Sequence, residues 1–192
     1  MEFKDLVKTR RSCRSFESSP VSEEQLTFIL NAGQWAPSPL NLQPWEFILV
    51  TDLHIKSKVR RVAEDAKQEV IEKNGPGWVK KYSIQFLEEA QILVVVTVDP
   101  SQGGLGDFFG QRYGAIQAVS ACIQNMMLAA ADVGLGSVWF TFFRPEKLRP
   151  ILNIPEKLEI AGVIPIGRSK GAIKAPPRKE PKVHHQRMIV SP

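Results

Sequence analysis

The chain has 192 residues, a formal net charge of +5 and two cysteines. This length is typical of one domain with a sizeable core. We see no signal peptide, no membrane span and no disulfide or iron–sulfur spacing between Cys13 and Cys122. We therefore expect reduced thiols, a cytoplasmic location and no membrane partner.

A short helix is expected over Phe3–Thr9, and it ends at a cluster of cationic and hydroxyl side chains. The cluster contains Arg10, Arg11, Ser12 and Arg14. Arginine presents a planar fork of donors that matches the geometry of a phosphate group. Most charge clusters are nevertheless only solvated surface, so these residues alone leave both interpretations open.

A second helix is predicted to begin at Ser22, because Gln25 three residues later completes a capping box. A proline-rich loop follows at residues 36–45, where regular helix is excluded. It carries Ser38, Asn41 and Gln43. Amide side chains on a rigid loop suit hydrogen bonding to a planar heterocycle, although they cap turns equally often.

The middle of the chain alternates between strand and helix patterns. Residues 46–51 and 92–98 predict strands, and the second, rich in β-branched residues, is typical of a strand buried on both faces. Residues 52–72 and 78–89 predict helices. The glycine-rich residues 101–110 lack a GxGxxG pattern and predict a flexible loop.

The longest helix is predicted over residues 113–133, and it is apolar on nearly every side. A helix of this kind must be buried all round, which favours an obligate homodimer with a second copy packed against it. Gly134 and Gly136 then end the helix and lead into a strand, where they allow close approach of a flat ligand. A short helix to Leu152 and a strand over residues 158–167 complete the pattern, which predicts an α+β fold.

The C-terminal part is basic, since Glu180 is the only acid after residue 160. A basic segment indicates an anionic partner. No aromatic residue follows Phe143, so a stacking platform for single-stranded nucleic acid is missing. We therefore expect a small phosphorylated ligand and no nucleic acid.

Catalytic side chains are scarce. His54, His184 and His185 lack zinc-ligand spacing, so no metal site is expected, and no GxSxG motif is present. Cys122 is best explained as a small core residue. A chain with phosphate-binding and ring-binding groups but few catalytic ones is typical of an enzyme whose cofactor performs the chemistry.

Four segments together resemble signatures of the nitroreductase family of flavin enzymes. They are RRSCRSF at residues 10–16, APSPLNLQPW at 36–45, the helix and GLGSVW over 115–139, and GVIPIG at 162–167 followed by PRK at 177–179. The resemblance implies one domain over residues 1–192, with a central mixed or antiparallel sheet flanked by helices. It also implies an intertwined, FMN-dependent homodimer, in which residues 170–192 extend over the partner subunit.

The resemblance also implies the residues that contact FMN. They are Arg10, Arg11, Ser12, Arg14, Pro37, Ser38, Pro39, Asn41, Gln43, Gly136, Ser137, Arg178 and Lys179.

Their roles follow the parts of the flavin. Arg10 and Ser12, with Arg178 and Lys179, would hold the phosphate and ribityl chain, and Arg14 would face the pyrimidine edge.

The proline loop would pack on the ring from the other subunit, with Asn41 and Gln43 as polar supports. The backbone at Gly136 and Ser137 would approach N5. Residues 74–78 and 101–110 would form the walls of the substrate pocket.

The implied activity is a ping-pong oxidoreduction that needs no acidic or basic side chain. NADH or NADPH would reduce the flavin, and an electron-poor small molecule such as a nitroaromatic or a quinone would reoxidise it. Alternatives are a reductive dehalogenase or a flavin-fragmenting enzyme of the same fold, for which we find no lid residues. A non-catalytic flavin-binding protein and a nucleic-acid-binding module are further alternatives.

Overall fold

The computed structural model describes residues 1–173 and 177–188. Its α-helices are α1 (Phe3–Thr9), α2 (Glu23–Gln34), α3 (Leu53–Glu72), α4 (Trp78–Lys81), α5 (Phe86–Glu89), α6 (Gly114–Asp132) and α7 (Pro145–Leu152). Its strands are β1 (Trp45–Val50), β2 (Ile92–Val98), β3 (Gly136–Ser137) and β4 (Glu159–Gly167). Short 3₁₀ turns lie at Pro39–Asn41, Pro100–Gln102 and Gly104–Phe109.

The strands form one sheet in the order β1-β2-β4-β3, and each neighbouring pair is antiparallel. Val96 of β2 lies opposite Phe47 of β1, and Val94 lies opposite Ile164 of β4. The register between β2 and β4 shifts after Val96, which is the position of a bulge. The expected α+β fold with a central antiparallel sheet is confirmed.

The central strand β2 separates two hydrophobic clusters. All of its residues are buried, as the apolar run predicts. Because side chains alternate along a strand, Val94 and Val96 enter the cluster formed with α2 and α6, whereas Leu93 and Val95 enter the cluster on the side of α3, α5 and α7. Helices therefore cover both faces of the sheet.

Helix α6 is buried along one face, where it packs on α2 and the sheet. A Cβ atom added at Gly33 of α2 would lie 2.7 Å from Met126 Cγ, so this glycine allows the two helices to approach closely. The opposite face keeps Ile116 39% exposed. Burial all round is thus not achieved within one chain.

The same helix is long and apolar enough to cross a membrane by length and composition. However, 50% of its apolar window is buried inside the fold, as in the core helix of a globular domain. We therefore treat α6 as a core helix.

The prediction of one helix over residues 78–89 is wrong, because the segment forms the short helices α4 and α5 with an extended turn between them. Tyr82 has φ −74° and ψ 112°. The flanking Val79 and Ile84 are both buried, and packing of these two side chains overrides the local helical pattern.

The expectation for the strand after the long helix is also corrected. The strand after the long helix is only Gly136–Ser137, and Phe140 joins the sheet through a single bridge to Val163. The glycine-rich residues 101–110, for which a flexible loop is predicted, lie largely within two 3₁₀ turns, and their flexibility stays a prediction.

Candidate functional site

The cationic N-terminal segment is fixed to the edge of the sheet. Ser12 pairs in parallel with Ser137 of β3, and the Cys13 N–H donates to the Ser137 carbonyl at 2.9 Å. Farther along, the Lys170 N–H donates to the Ser15 carbonyl at 3.0 Å. Strand-like pairing at Ser12 and backbone hydrogen bonds at Cys13 and Ser15 therefore hold this segment, residues 10–15, against the rest of the fold.

Gly136 is required where this segment crosses β3. A Cβ atom at this position would lie 2.7 Å from the Cβ of Cys13 and 2.8 Å from its sulfur. Cys13 is itself buried. Gly136 thus allows the close approach of the chain's own Cys13, and it also lines a cavity, so the approach of a flat ligand stays a prediction.

One end of the segment carries an unneutralised positive charge. Arg10 and Arg11 line a cavity of about 270 Å³ together with Gly136 and Ser137. Burial lowers the pKa of Arg10, and the charges of Arg11 and Arg178 lower it further. No carboxylate of the described residues forms an ion pair with these three arginines. This end suits a dianionic group such as a phosphate.

The other end carries Arg14, which lines a separate cavity of about 490 Å³. Among the described residues of its lining, Arg14 is the only one with a charged side chain. Aromatic side chains make up half of the wall: Trp78, Tyr82, Trp139, Phe140 and Phe142. A flat, apolar ring with a polar edge suits such a cavity.

The spacing of the two ends matches one elongated ligand. Arg10 and Arg14 are four residues apart on an extended segment, which corresponds to about 13 Å of backbone. Ser12 lies between Arg10 and Arg14 in the sequence, and its pairing partner Ser137 lines the Arg10 cavity. A ligand with a phosphate at one end and a flat ring at the other, such as FMN, fits this arrangement.

The proline loop lines a third cavity, of about 230 Å³, against α6. Its lining includes Pro37, Ser38 and Pro39, but neither Arg10 nor Arg14. One chain therefore does not bring this loop to the lining of the other two cavities.

The amide side chains of the loop bind one another. Gln43 Nε2 donates to Asn41 Oδ1 at 3.0 Å, and the Gln43 N–H donates to Ser38 Oγ at 3.0 Å. Gln34 Nε2 donates to Gln43 Oε1, and Trp45 Nε1 donates to Gln34 Oε1 at 2.9 Å. Because Asn41 and Gln43 have left-handed φ values of 55° and 48°, this network stabilises a strained turn.

The C-terminal residues differ in their placement. Arg178 is close enough to lower the pKa of Arg10 through charge repulsion. Lys179 is exposed and lines none of the three cavities described above. Within the predicted tail over residues 170–192, positions 174–176 and 189–192 lie outside the described residues.

Most of the aromatic wall was not predicted from the sequence. Pro76 and Trp78 were expected at a pocket, but Tyr82, Trp139 and Phe142 were not. The aromatic density of WFTFF, directly after the glycine-rich entry to β3, is the pattern that could have indicated it. Among the described residues, no group of three or more His, Cys, Asp or Glu side chains could hold a metal ion.

The chain is similar to a described protein family and to several individual proteins. The family model described as "Nitroreductase family" matches residues 7–168. A protein of Archaeoglobus fulgidus named "Putative NADH dehydrogenase/NAD(P)H nitroreductase" is 31% identical over 169 residues, which cover 86% of this chain and 84% of that protein. An iodotyrosine deiodinase of Thermotoga neapolitana is 29% identical over 184 residues, which cover 92% of this chain and 93% of that protein.

A solved structure shares the fold over nearly its whole length. It is oxidized iodotyrosine deiodinase bound to FMN and 3-iodo-L-tyrosine, with a TM-score of 0.84 and 28% identity, covering 96% of this chain and 99% of that one. The residues that the family model matches include Arg10, Ser12 and Arg14 and all four strands of the sheet. This chain belongs to the nitroreductase family.

Proposed function

We propose that this chain is an FMN-dependent oxidoreductase that passes reducing equivalents from NADH or NADPH to an electron-poor small molecule, such as a nitroaromatic or a quinone, by a ping-pong mechanism. One observation carries the proposal: unpaired arginines and an aromatic cavity lie at opposite ends of one extended segment. FMN, when bound, supplies hydride acceptance and donation at N5, a chemistry that amino-acid side chains lack.

The cationic end binds the phosphate. Arg10 and Ser12 donate to its oxygens, and Arg178 approaches from the C-terminal segment, joined by Lys179. Arg11 Nη1 donates to the Arg10 carbonyl at 2.7 Å, so Arg11 stabilises the backbone of this end in addition to contributing charge. Charge-assisted hydrogen bonds of this kind are about twice as strong as neutral ones.

The aromatic end holds the ring. Arg14 keeps a positive charge at the pyrimidine edge, where negative charge develops on reduction, and thereby favours the reduced state. Gly136 and Ser137 lie beside Arg10 and Arg11, which supports a position against the ribityl chain. Trp139 lines the Arg14 cavity, which supports a position of this side chain near the ring.

We propose that the active form is a homodimer, in which Pro37, Ser38 and Pro39 of one copy cover the ring held by the other. The separation of these residues from both arginine-lined cavities supports this arrangement. So do the large apolar side chains that one chain leaves exposed: Trp35 at 87%, Phe108 at 82%, Phe109 at 79% and Ile116 at 39%. The tail over residues 170–192 would then extend over the partner.

Localisation in the cytoplasm is part of the same proposal. Cys13 and Cys122 are both free and buried, as expected for a protein of a reducing compartment.

A second candidate is reductive dehalogenation of an aromatic substrate. It is favoured by the similarity to iodotyrosine deiodinases, one of them solved with FMN and 3-iodo-L-tyrosine. A zwitterionic amino acid calls for groups of both charges, whereas the described residues that line the Arg14 cavity in one chain include one cation and no carboxylate. We therefore prefer the first candidate.

The first test is the visible spectrum of the purified protein, followed by anaerobic addition of NADH or NADPH. We expect flavin absorbance that bleaches with at least one donor. A colourless protein that cannot be reconstituted with FMN would refute the proposal. Absorbance that persists with both donors would instead indicate a flavin-binding protein without this turnover.

A panel of electron acceptors distinguishes the two candidate activities. The reduced protein is mixed anaerobically with a nitroaromatic, a quinone and 3-iodo-L-tyrosine, and flavin reoxidation is followed. Preference for the first two supports the oxidoreductase, whereas iodide release from the third supports the dehalogenase.

The homodimer is tested by sedimentation of Ile116→Glu. Placing a charge on the exposed face of α6 should yield monomers and weaken FMN binding. The control is Leu53→Glu, which changes an apolar side chain that is 69% exposed at the start of α3. A dimer that survives Ile116→Glu would contradict the proposed interface.

A further inference from the structure

Tyr82 is the hydrogen-bond partner that the chain provides for Arg14. Arg14 Nε donates to the Tyr82 hydroxyl at 3.1 Å, and the guanidinium carbon lies 5.8 Å from the centre of the tyrosine ring. Glu89 of the neighbouring α5 accepts instead from the Phe16 N–H at 3.3 Å. Within the described residues, the terminal nitrogens of Arg14 make no hydrogen bond and remain available to a ligand in the cavity.

The position of Tyr82 is itself fixed along the chain. Its N–H donates to the Val79 carbonyl at 3.1 Å. Val79 before it and Ile84 after it are each only 2% exposed. The turn that carries Tyr82 is therefore anchored in the core on both sides.

The tyrosine ring is fixed by aromatic contacts as well. Its centre lies 5.7 Å from Trp78, 6.3 Å from Phe86 and 6.4 Å from Phe142. Phe86 is almost fully buried and packs edge-on against the buried Phe140. Movement of the Tyr82 hydroxyl would disturb this cluster, so the hydroxyl is a rigid acceptor.

Because the guanidinium group is planar, the fixed Tyr82 hydroxyl also restricts how Arg14 can contact a ligand. The three nitrogens of this group lie in one plane, so a fixed Nε also fixes the direction in which the terminal nitrogens donate. We propose that Tyr82 is a positioning residue, which holds Arg14 so that its free donors meet the pyrimidine edge of the flavin. The inference rests on the proposed function, and it adds a residue that tunes both FMN affinity and the reduction potential.

The test uses Tyr82→Phe, which keeps the ring and removes the hydroxyl. We expect the Kd for FMN, measured by fluorescence quenching with apoprotein, to rise about 2- to 10-fold, the worth of one hydrogen bond. The midpoint potential should fall, because the less ordered cation stabilises the reduced flavin less. The control is Ser83→Ala, which removes an exposed hydroxyl from the next residue and should change neither value.

A double-mutant cycle separates positioning from a merely structural role. Lysine is a point charge without an Nε donor, so Tyr82→Phe in an Arg14→Lys background should change neither the Kd nor the potential further. Equal effects in both backgrounds would show that Tyr82 acts independently of Arg14 and would overturn the inference.

Two further outcomes are informative. Unchanged Kd and potential in the single Tyr82→Phe variant would also overturn the inference while leaving the proposed function intact. Failure of the unmodified protein to bind FMN would refute the proposed function itself. Thermal unfolding of each variant checks that all of them fold.

Discussion

Substitution of Arg10 by alanine tests the phosphate-binding end of the site. Arg10 is half-buried at the end of α1 and lines the cavity that also contains Arg11. If it binds the phosphate of FMN, Arg10→Ala removes a charge-assisted hydrogen bond, which contributes about 1.5–3 kcal/mol. Riboflavin lacks the phosphate, so its binding should be unaffected.

The surroundings of Arg10 place the effect at the lower end of that range. Its pKa is lowered by burial and by the neighbouring Arg11 and Arg178, which means that the three cations repel one another in the free protein. Removal of one of them relieves part of this repulsion, and the remaining two still attract the phosphate. We therefore expect a loss of about 1.5 kcal/mol, or about a tenfold higher Kd for FMN.

The assay is a fluorescence titration of apoprotein with FMN and, separately, with riboflavin. Arg61→Ala, which removes an equal charge from an exposed position on α3, is the control and should leave both affinities unchanged. Unaltered FMN affinity in Arg10→Ala would refute the assignment. Equal loss for FMN and riboflavin would also refute it, because the effect would then not involve the phosphate.

Three other predictions concern stability and reactivity. Gly136→Ala should lower the free energy of unfolding by about 1–3 kcal/mol in denaturant titrations, because the added Cβ would overlap Cys13. Hydrogen bonding to Arg144 is the main cause that lowers the pKa of Glu69 to about 2, so the pair stabilises the fold above pH 4.5, and this contribution is lost as the pH falls towards 2. Glu69→Gln should therefore weaken the dependence of Tm on pH in that window. Burial raises the pKa of the Cys122 thiol to about 12, so iodoacetamide at pH 8 should not alkylate it in the native protein.

Each of these predictions has a matched comparison. Gly77→Ala adds a Cβ where no atom lies within 4 Å, so a loss as large as that of Gly136→Ala would contradict the overlap argument. Glu72→Gln removes a nearby acid of α3 that forms no ion pair within the described residues, and it should preserve the pH dependence. Cys122 should react fully once the chain is unfolded in guanidinium. Rapid native alkylation would show that the α2–α6 interface opens.

Elements with strong local patterns were predictable from the sequence. The capping box at Ser22 is present, with its side chain accepting from the Gln25 N–H and the Gln25 side chain accepting from the Ser22 N–H. The β-branched run of β2 is buried on both faces, as expected. Such elements depend on residues that are close in sequence. Two short helices replaced the predicted helix over 78–89 because buried positions from distant segments decide its geometry.

The candidate site was predictable only in part, for the same reason. Arg10 and Arg11 indicated the cationic end because they are adjacent in the chain. The aromatic wall brings Trp78, Tyr82 and Trp139 together from segments about sixty residues apart in sequence, so no local pattern indicates it. The Arg14–Tyr82 hydrogen bond spans 68 positions and likewise depends on the tertiary fold.

The pairing of Ser12 with Ser137 has a consequence for the evolution of this protein. β3 is the last strand on its side of the sheet, and the Ser12 segment covers part of its outer edge. Uncovered edges template the pairing of other chains and lead to aggregation. The segment that supplies the cationic end therefore also protects the edge of the sheet from pairing with other chains. A substitution that alters ligand preference there must preserve the backbone pairing, which restricts change to side chains and disfavours insertion, deletion or proline.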